Sequence, residues 1–307
     1  MRAYRTDLAV EAFDGQGQSL PGVHVNRWET GGVTLTEVIV SDDEAAGLLG
    51  KPMGRYLTLE CGSLRRRDPE ARAAMGSLLA EELGRMLPEL GGDACVLIVG
   101  LGNRRITPDA LGPAVVERAL VTRHLSDSLA ALPGLRPVAA IAPGVMGVTG
   151  IETMDAVARL AELVRPAAVI CVDSLAARDS ARVGATIQLT DTGIQPGAGV
   201  GNHRRALTRE TVGAPVIAIG MPTVIHAATL ARDAFEWLDR QNGETSADES
   251  ALGDMEKALL NAAPGDMIVT PREIDALIHD AAGLIAAALN RALQPELTDR
   301  EIAAMTD

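Results

Sequence analysis

The chain predicts an α/β fold: a mostly parallel (mixed) sheet flanked by helices on both faces, in three layers. Three observations carry that prediction. Short runs built almost wholly of Val, Ile, Leu and Ala recur at 94–99, 167–172 and 215–219. Uninterrupted apolar runs of this length suit strands that are buried on both faces. Stretches of helical composition alternate with them, the order that βαβ units produce. Finally, 47% of the 307 residues are hydrophobic but only 2% are aromatic, so small aliphatic side chains must fill a substantial core.

In chain order, Val33–Val40 and Arg55–Cys61 read as strands, being rich in β-branched or aromatic residues with partial alternation. Asp68–Leu87 reads as a helix with Asp68 as its cap and Pro69 in the first helical position. Ala94–Val99 is a strand, Asp109–His124 a helix despite Pro113, Pro137–Ile141 a strand and Glu152–Val164 a helix. Ala167–Val172, Ala181–Leu189 and Pro215–Ile219 complete the expected strands, and Pro271–Leu293 reads as an amphipathic, alanine-rich helix that covers the sheet or an oligomer contact. The expected organisation is one α/β unit over 1–307, with an N-terminal extension over about 1–90 and a mobile acidic loop at 241–254.

Charge and cysteine usage narrow the class. The formal charge is 28 − 41 = −13, which opposes a nucleic-acid partner because phosphate contacts need clustered Lys and Arg. Cys61, Cys95 and Cys171 are odd in number and lack CxxC spacing, fitting a reducing cytoplasm. No signal-peptide-like N-terminus and no unbroken apolar run of spanning length is visible, so no membrane partner is expected.

Two aspartates stand out. Asp109 lies in Thr107-Pro-Asp-Ala-Leu-Gly-Pro113 after the 94–99 strand, and Asp173 immediately follows Val-Ile-Cys-Val172. In open α/β sheets the carboxyl ends of strands form the ligand crevice. Two carboxylates meeting there can share one proton, the equipment of acid–base hydrolysis. Helix capping competes for both positions, since Asp accepts N–H bonds at a helix start. Arg178, five residues further on, is a candidate ion-pair partner for Asp173.

The segments Arg5-Thr-Asp-Leu-Ala-Val-Glu-Ala12, Val99-Gly-Leu-Gly-Asn103, Thr107–Pro113, Val121-Thr-Arg-His124 and Pro143–Thr153 occur in one order along the chain. Asp173-Ser-Leu-Ala-Ala-Arg178, Asp191–Asn202 and Met267–Ile274 continue the series. Together they resemble the germination proteases of endospore-forming bacteria over nearly the whole length. The resemblance implies a homotetrameric fold related to hydrogenase-maturation endopeptidases. It implies an aspartic-type endopeptidase acting on small acid-soluble spore proteins, made in the forespore as a zymogen and working in the spore core. Its two carboxylates map onto Asp109 and Asp173. Only four residues precede Arg5, whereas the family's propeptide precedes this motif. Either the leader is very short, the start lies further upstream, or self-processing is not used. His226 stands where an acidic residue is expected.

Other motifs weigh less. Asp191-Thr-Gly193 looks like the triplet of pepsin-like proteases, but those need two triplets in an all-β fold, so turn formation explains it better and Asp191 is retained only as a supporting carboxylate. Gly100, Gly102 and Asn103 are expected to let the backbone hug the cleft or the substrate. No histidine is spaced as a third ligand, so no metal and no cofactor are expected, although a metal held by Asp109 and Asp173 is the alternative. Gly100–Asn103 followed by Thr122–His124 also resembles peptidyl-tRNA hydrolases, with spacing too long and charge against tRNA. A non-catalytic oligomeric scaffold is the alternative outside enzymes.

Overall fold

The computed structural model describes residues 6–16, 20–125, 134–197, 205–231, 233–234 and 267–306. The 241–254 segment lies outside the described residues, as does His203. Among the described residues, nine strands form one sheet in the order β1-β2-β3-β7-β8-β6-β4-β5, with β9 added on β8. They are β1 Val23–Thr30, β2 Val33–Val40, β3 Gly54–Glu60, β4 Val96–Gly100, β5 Val138–Ile141, β6 Ala168–Ala177, β7 Thr186–Thr190, β8 Val216–His226 and β9 Ile268–Val269.

The sheet is mixed and helix-flanked, as the sequence predicts, but its balance differs. Three pairings are parallel, among β5, β4, β6 and β8. Five are antiparallel. The alternating βαβ pattern is confined to the second part of the chain. The meander β1-β2-β3 joins the same sheet through β7 and brings the antiparallel share with it.

Helices cover both faces. On one face lie α3 (Pro69–Met86), α4 (Leu111–Val116) and α8 (Ile274–Leu293), whose Met75, Leu79, Leu111, Ile278, Ile285 and Leu289 bury against β-strand residues such as Ile98 and Ile170. The opposite face receives α6 (Thr153–Val164) and α7 (Arg209–Val212) through Met154, Val157 and Val212. There α1 (Ala9–Asp14) and α2 (Asp43–Leu49) pack on the meander. α5 is the short Met146–Thr149, and α9 is Asp299–Thr306. Asp68 caps α3 as expected, its carboxylate accepting from Glu70 N at 3.0 Å and Ala71 N at 3.4 Å, with Pro69 next in line. α8 is long and apolar enough by composition to cross a membrane, but its apolar side is spent on the core, with Ile274, Ile285 and Leu293 buried.

Three local expectations change. The helix expected over Asp109–His124 is only Leu111–Val116, because Leu120 N is taken by Asn290 Oδ1 at 2.8 Å and Thr122 N by Val138 O at 3.0 Å, which turns the chain towards β5. β6 continues to Ala177 and β8 to His226, well past the expected ends, because each supplies the other's hydrogen-bonding partner. β7 starts only at Thr186 and runs to Thr190, one residue past the expected 181–189 stretch, after a tight turn at Ser180–Arg182.

Candidate active site

Asp173 lies inside β6 rather than at its end, opposite Gly220 of β8. Its access to the crevice comes from the other neighbour. β4 pairs with β6 only as far as Gly100↔Val172, and Leu101 N then closes on Val172 O at 2.8 Å. The open edge beside Asp173 is therefore the carboxyl end of β4, at the point where the chain runs outward to β5 on one side and back to β6 on the other. That is the crevice expected of an open α/β sheet. Asp173 is 4% exposed, and its Oδ1 accepts from Ser174 N at 2.9 Å.

Asp109 reaches the same crevice from the loop after β4. It closes a 3-10 turn over Thr107–Asp109, and the N-cap of α4 is the next residue, Ala110, which makes no side-chain cap bond. Asn103 N donates to both the carbonyl and Oδ2 of Asp109 at 2.9 Å, while Asp109 N donates to Ile106 O at 2.8 Å. Asn103 Oδ1 in turn accepts from Arg105 N at 3.0 Å, fixing the loop that carries the carboxylate. Gly102 has φ +108°, and a Cβ there would strike the Asp109 carbonyl, so the loop closes only on glycine. Gly100 and Gly112 fit α4 against the strand ends in the same way, since a Cβ on either would meet backbone of the other segment.

Both carboxylates line one cleft of about 350 Å³, together with Asp7, Gly102, Ile106 and Thr223. A second cavity of about 160 Å³ adjoins it, lined by Lys51, Tyr56, Gln188 and Thr192, and Asp173 and Asp7 border both. Asp7 is the residue that sequence reasoning missed. Its backbone N donates to Ala176 O at 2.9 Å and its Oδ2 accepts from Ala176 N at 2.8 Å, so the N-terminal segment is docked along β6. No local pattern marks it, because its partner lies far away in sequence. Lys51 Nζ donates to the carbonyls of Thr6 at 3.0 Å and Asp7 at 2.9 Å. Burial pulls this ammonium below the usual lysine range, with the carboxylates of Asp7 and Glu11 pushing the other way.

Of the expected supporting residues, Gly102 and Asn103 touch Asp109, Gly100 sits under α4, and Asp191 lines neither cavity. Asp191 is an exposed turn residue whose Oδ1 accepts from Arg55 N at 2.8 Å, with Gly193 at φ +80° completing the turn. Cys171 is fully buried, and burial together with the Asp173 charge pushes its thiol well above the usual range, leaving no thiolate for nucleophilic attack at neutral pH. Among the described residues, no group of three or more His, Cys, Asp or Glu is gathered as a metal-ligand set.

The germination protease family model matches residues 5–262. A germination protease of Caldanaerobacter subterraneus subsp. tengcongensis is 41% identical, covering 97% of this chain and 96% of its own length. One from Bacillus cereus is 40% identical over 98% of this chain and 96% of its own length. A Bacillus anthracis germination protease matches to the same extent, at 40% over 98%. With a family model over most of its length and relatives this similar end to end, the chain belongs to the germination protease family.

Proposed function

We propose that this peptidase is an endopeptidase that begins the degradation of small acid-soluble spore proteins during germination, with Asp109 and Asp173 activating a water molecule against the peptide bond. The observation that carries the reading is that both carboxylates line a single cleft beyond the carboxyl end of β4. Hydrolysis of an amide needs a base to take a proton from water and an acid to protonate the carbonyl oxygen or the departing nitrogen. Two neighbouring carboxyl groups supply both when one proton is shared between them. They titrate as a unit, so neither residue is assigned a fixed role. The rigid sheet holds Asp173 and the Asn103-pinned turn holds Asp109, which preorganises the pair. Synthesis as a zymogen, a homotetrameric assembly and action in the spore core belong to the same proposal, supported by the family resemblance.

The test is digestion of a purified small acid-soluble spore protein, with and without a chelator, and with products weighed by mass spectrometry. Defined fragments from chelator-treated enzyme support the aspartate pair. Cutting that stops with the chelator and returns with added metal would replace it by a metal mechanism, and an intact substrate under every condition would end the proposal.

A further inference from the structure

Pro222 lacks a backbone N–H, and proline inside a sheet is found at edges or bulges. Here it sits within β8, and the ladder with β6 slips beside it: Leu175 pairs with Pro222, but Ala176 pairs with Val224. Thr223 is the extra residue. Bulges are uncommon between parallel strands, and where they occur beside a site they re-aim a side chain.

The re-aimed side chain reaches the turn that carries Asp109. Thr223 is fully buried, lines the cleft, and its hydroxyl donates to Pro108 O at 2.7 Å. Its own carbonyl accepts from Thr270 Oγ1 at 2.8 Å, which anchors it on the far side. Asn103 thus holds the Asp109 turn from its own loop, and Thr223 holds it from the sheet. Strand β8 is common to both acids, since Gly220 pairs with Asp173 and Thr223, just beyond it, holds the residue before Asp109.

We infer that Thr223 is a positioning residue that sets the separation of Asp109 from Asp173 through the Pro108 carbonyl. The inference rests on the aspartate-pair reading above. Removing the hydroxyl takes away the bond that ties Pro108 to β8, so the turn can shift relative to the strand-borne Asp173. Misplacing a reacting group by about 1 Å lowers a rate by about a hundredfold.

The experiment compares Thr223→Val, Thr223→Ser and Asp109→Asn in the full chain, with kcat, KM and melting temperature measured on one peptide substrate. Val keeps the shape and suits a strand, so the variant tests the hydroxyl alone. The expected result is a kcat lower by about tenfold to a hundredfold for Thr223→Val, a KM within about twofold of the parent, and most of kcat restored in Thr223→Ser. Parent-like kcat in Thr223→Val alongside an inactive Asp109→Asn would overturn the inference and leave the aspartate pair standing. Equal losses in Val and Ser, tracking melting temperature, would overturn it in favour of simple packing. Normal cutting by Asp109→Asn would remove the pair reading, and the inference with it.

Discussion

In the β5-β4-β6-β8 half of the sheet every residue of β4 is buried, and in β6 only Ser174 is not fully so. In the meander half, β1 buries Val23 alone, and charges are matched across strands instead: Arg55 of β3 bonds Glu37 of β2 at 2.5 Å and reaches Glu82 of α3 at 3.3 Å. The first half is held by aliphatic packing on both faces and leaves its polar groups at strand ends and bulges, where the cleft forms. The second is a half-solvated antiparallel ribbon that extends the sheet, with Asp191 pinning its third strand. Damage to the parallel half should therefore reach the chemistry, while damage to the meander should reach stability alone.

The largest expected effects test the first side of that contrast. Asp109→Asn or Asp173→Asn should lower peptide cleavage at least about a thousandfold with melting temperature and assembly preserved. Gly102→Ala, which drives a methyl into the Asp109 carbonyl at a positive φ, should cost about 3 kcal/mol and displace Asp109, so activity falls further than denaturation midpoints alone explain.

Smaller effects belong to the meander. Tyr56 of β3 donates to Pro52 O at 2.8 Å, and burial, helped by the Asp191 charge and opposed by a bond from Thr192, pushes its phenol up to about 12. A raised acid stabilises the fold fully below the unfolded value of 10.0 and loses that contribution as pH rises through about 12. The swing is of order 2 to 3 kcal/mol. Urea midpoints across this range should fall more steeply for the parent than for Tyr56→Phe, with cleavage at neutral pH unchanged in the variant.

Glu37 is 15% exposed. Burial alone would raise its pKa, but the bonds from Asn26 and Arg55 and the Arg55 charge outweigh that and hold it below 4.5. Its contribution is complete above 4.5 and is lost as pH falls through the lower folded value. Glu37→Gln should cost about 1 kcal/mol at neutral pH. Its stability curve should merge with the parent's in acid. Equal stability of the two proteins at neutral pH would show the matched charges of the meander to be incidental.

Much of this was legible in the chain. The apolar runs located β4, β6 and β8, and Asp68-Pro69 located the start of α3, because both signals are local. The setting of Asp173 was not legible: Asp and Ser break the apolar run after Val172, which reads as a strand end, whereas pairing with β8 extends β6 to Ala177. Pro222 was the available sign of the bulge, since it removes a ladder donor inside an apolar strand. The roles of Asp7 and Thr223 were hidden, as each acts through a backbone group distant in sequence. β1, mostly exposed and mixed in polarity, carried too little periodicity to be seen.

The most direct measurement is the rate of peptide cleavage by the Asp109→Asn, Asp173→Asn and doubly substituted proteins under identical single-turnover conditions. Two groups working as one unit predict that each single change removes nearly all activity and that the double change removes no more. Losses that multiply, or either single variant cutting at close to the parent's rate, would contradict it.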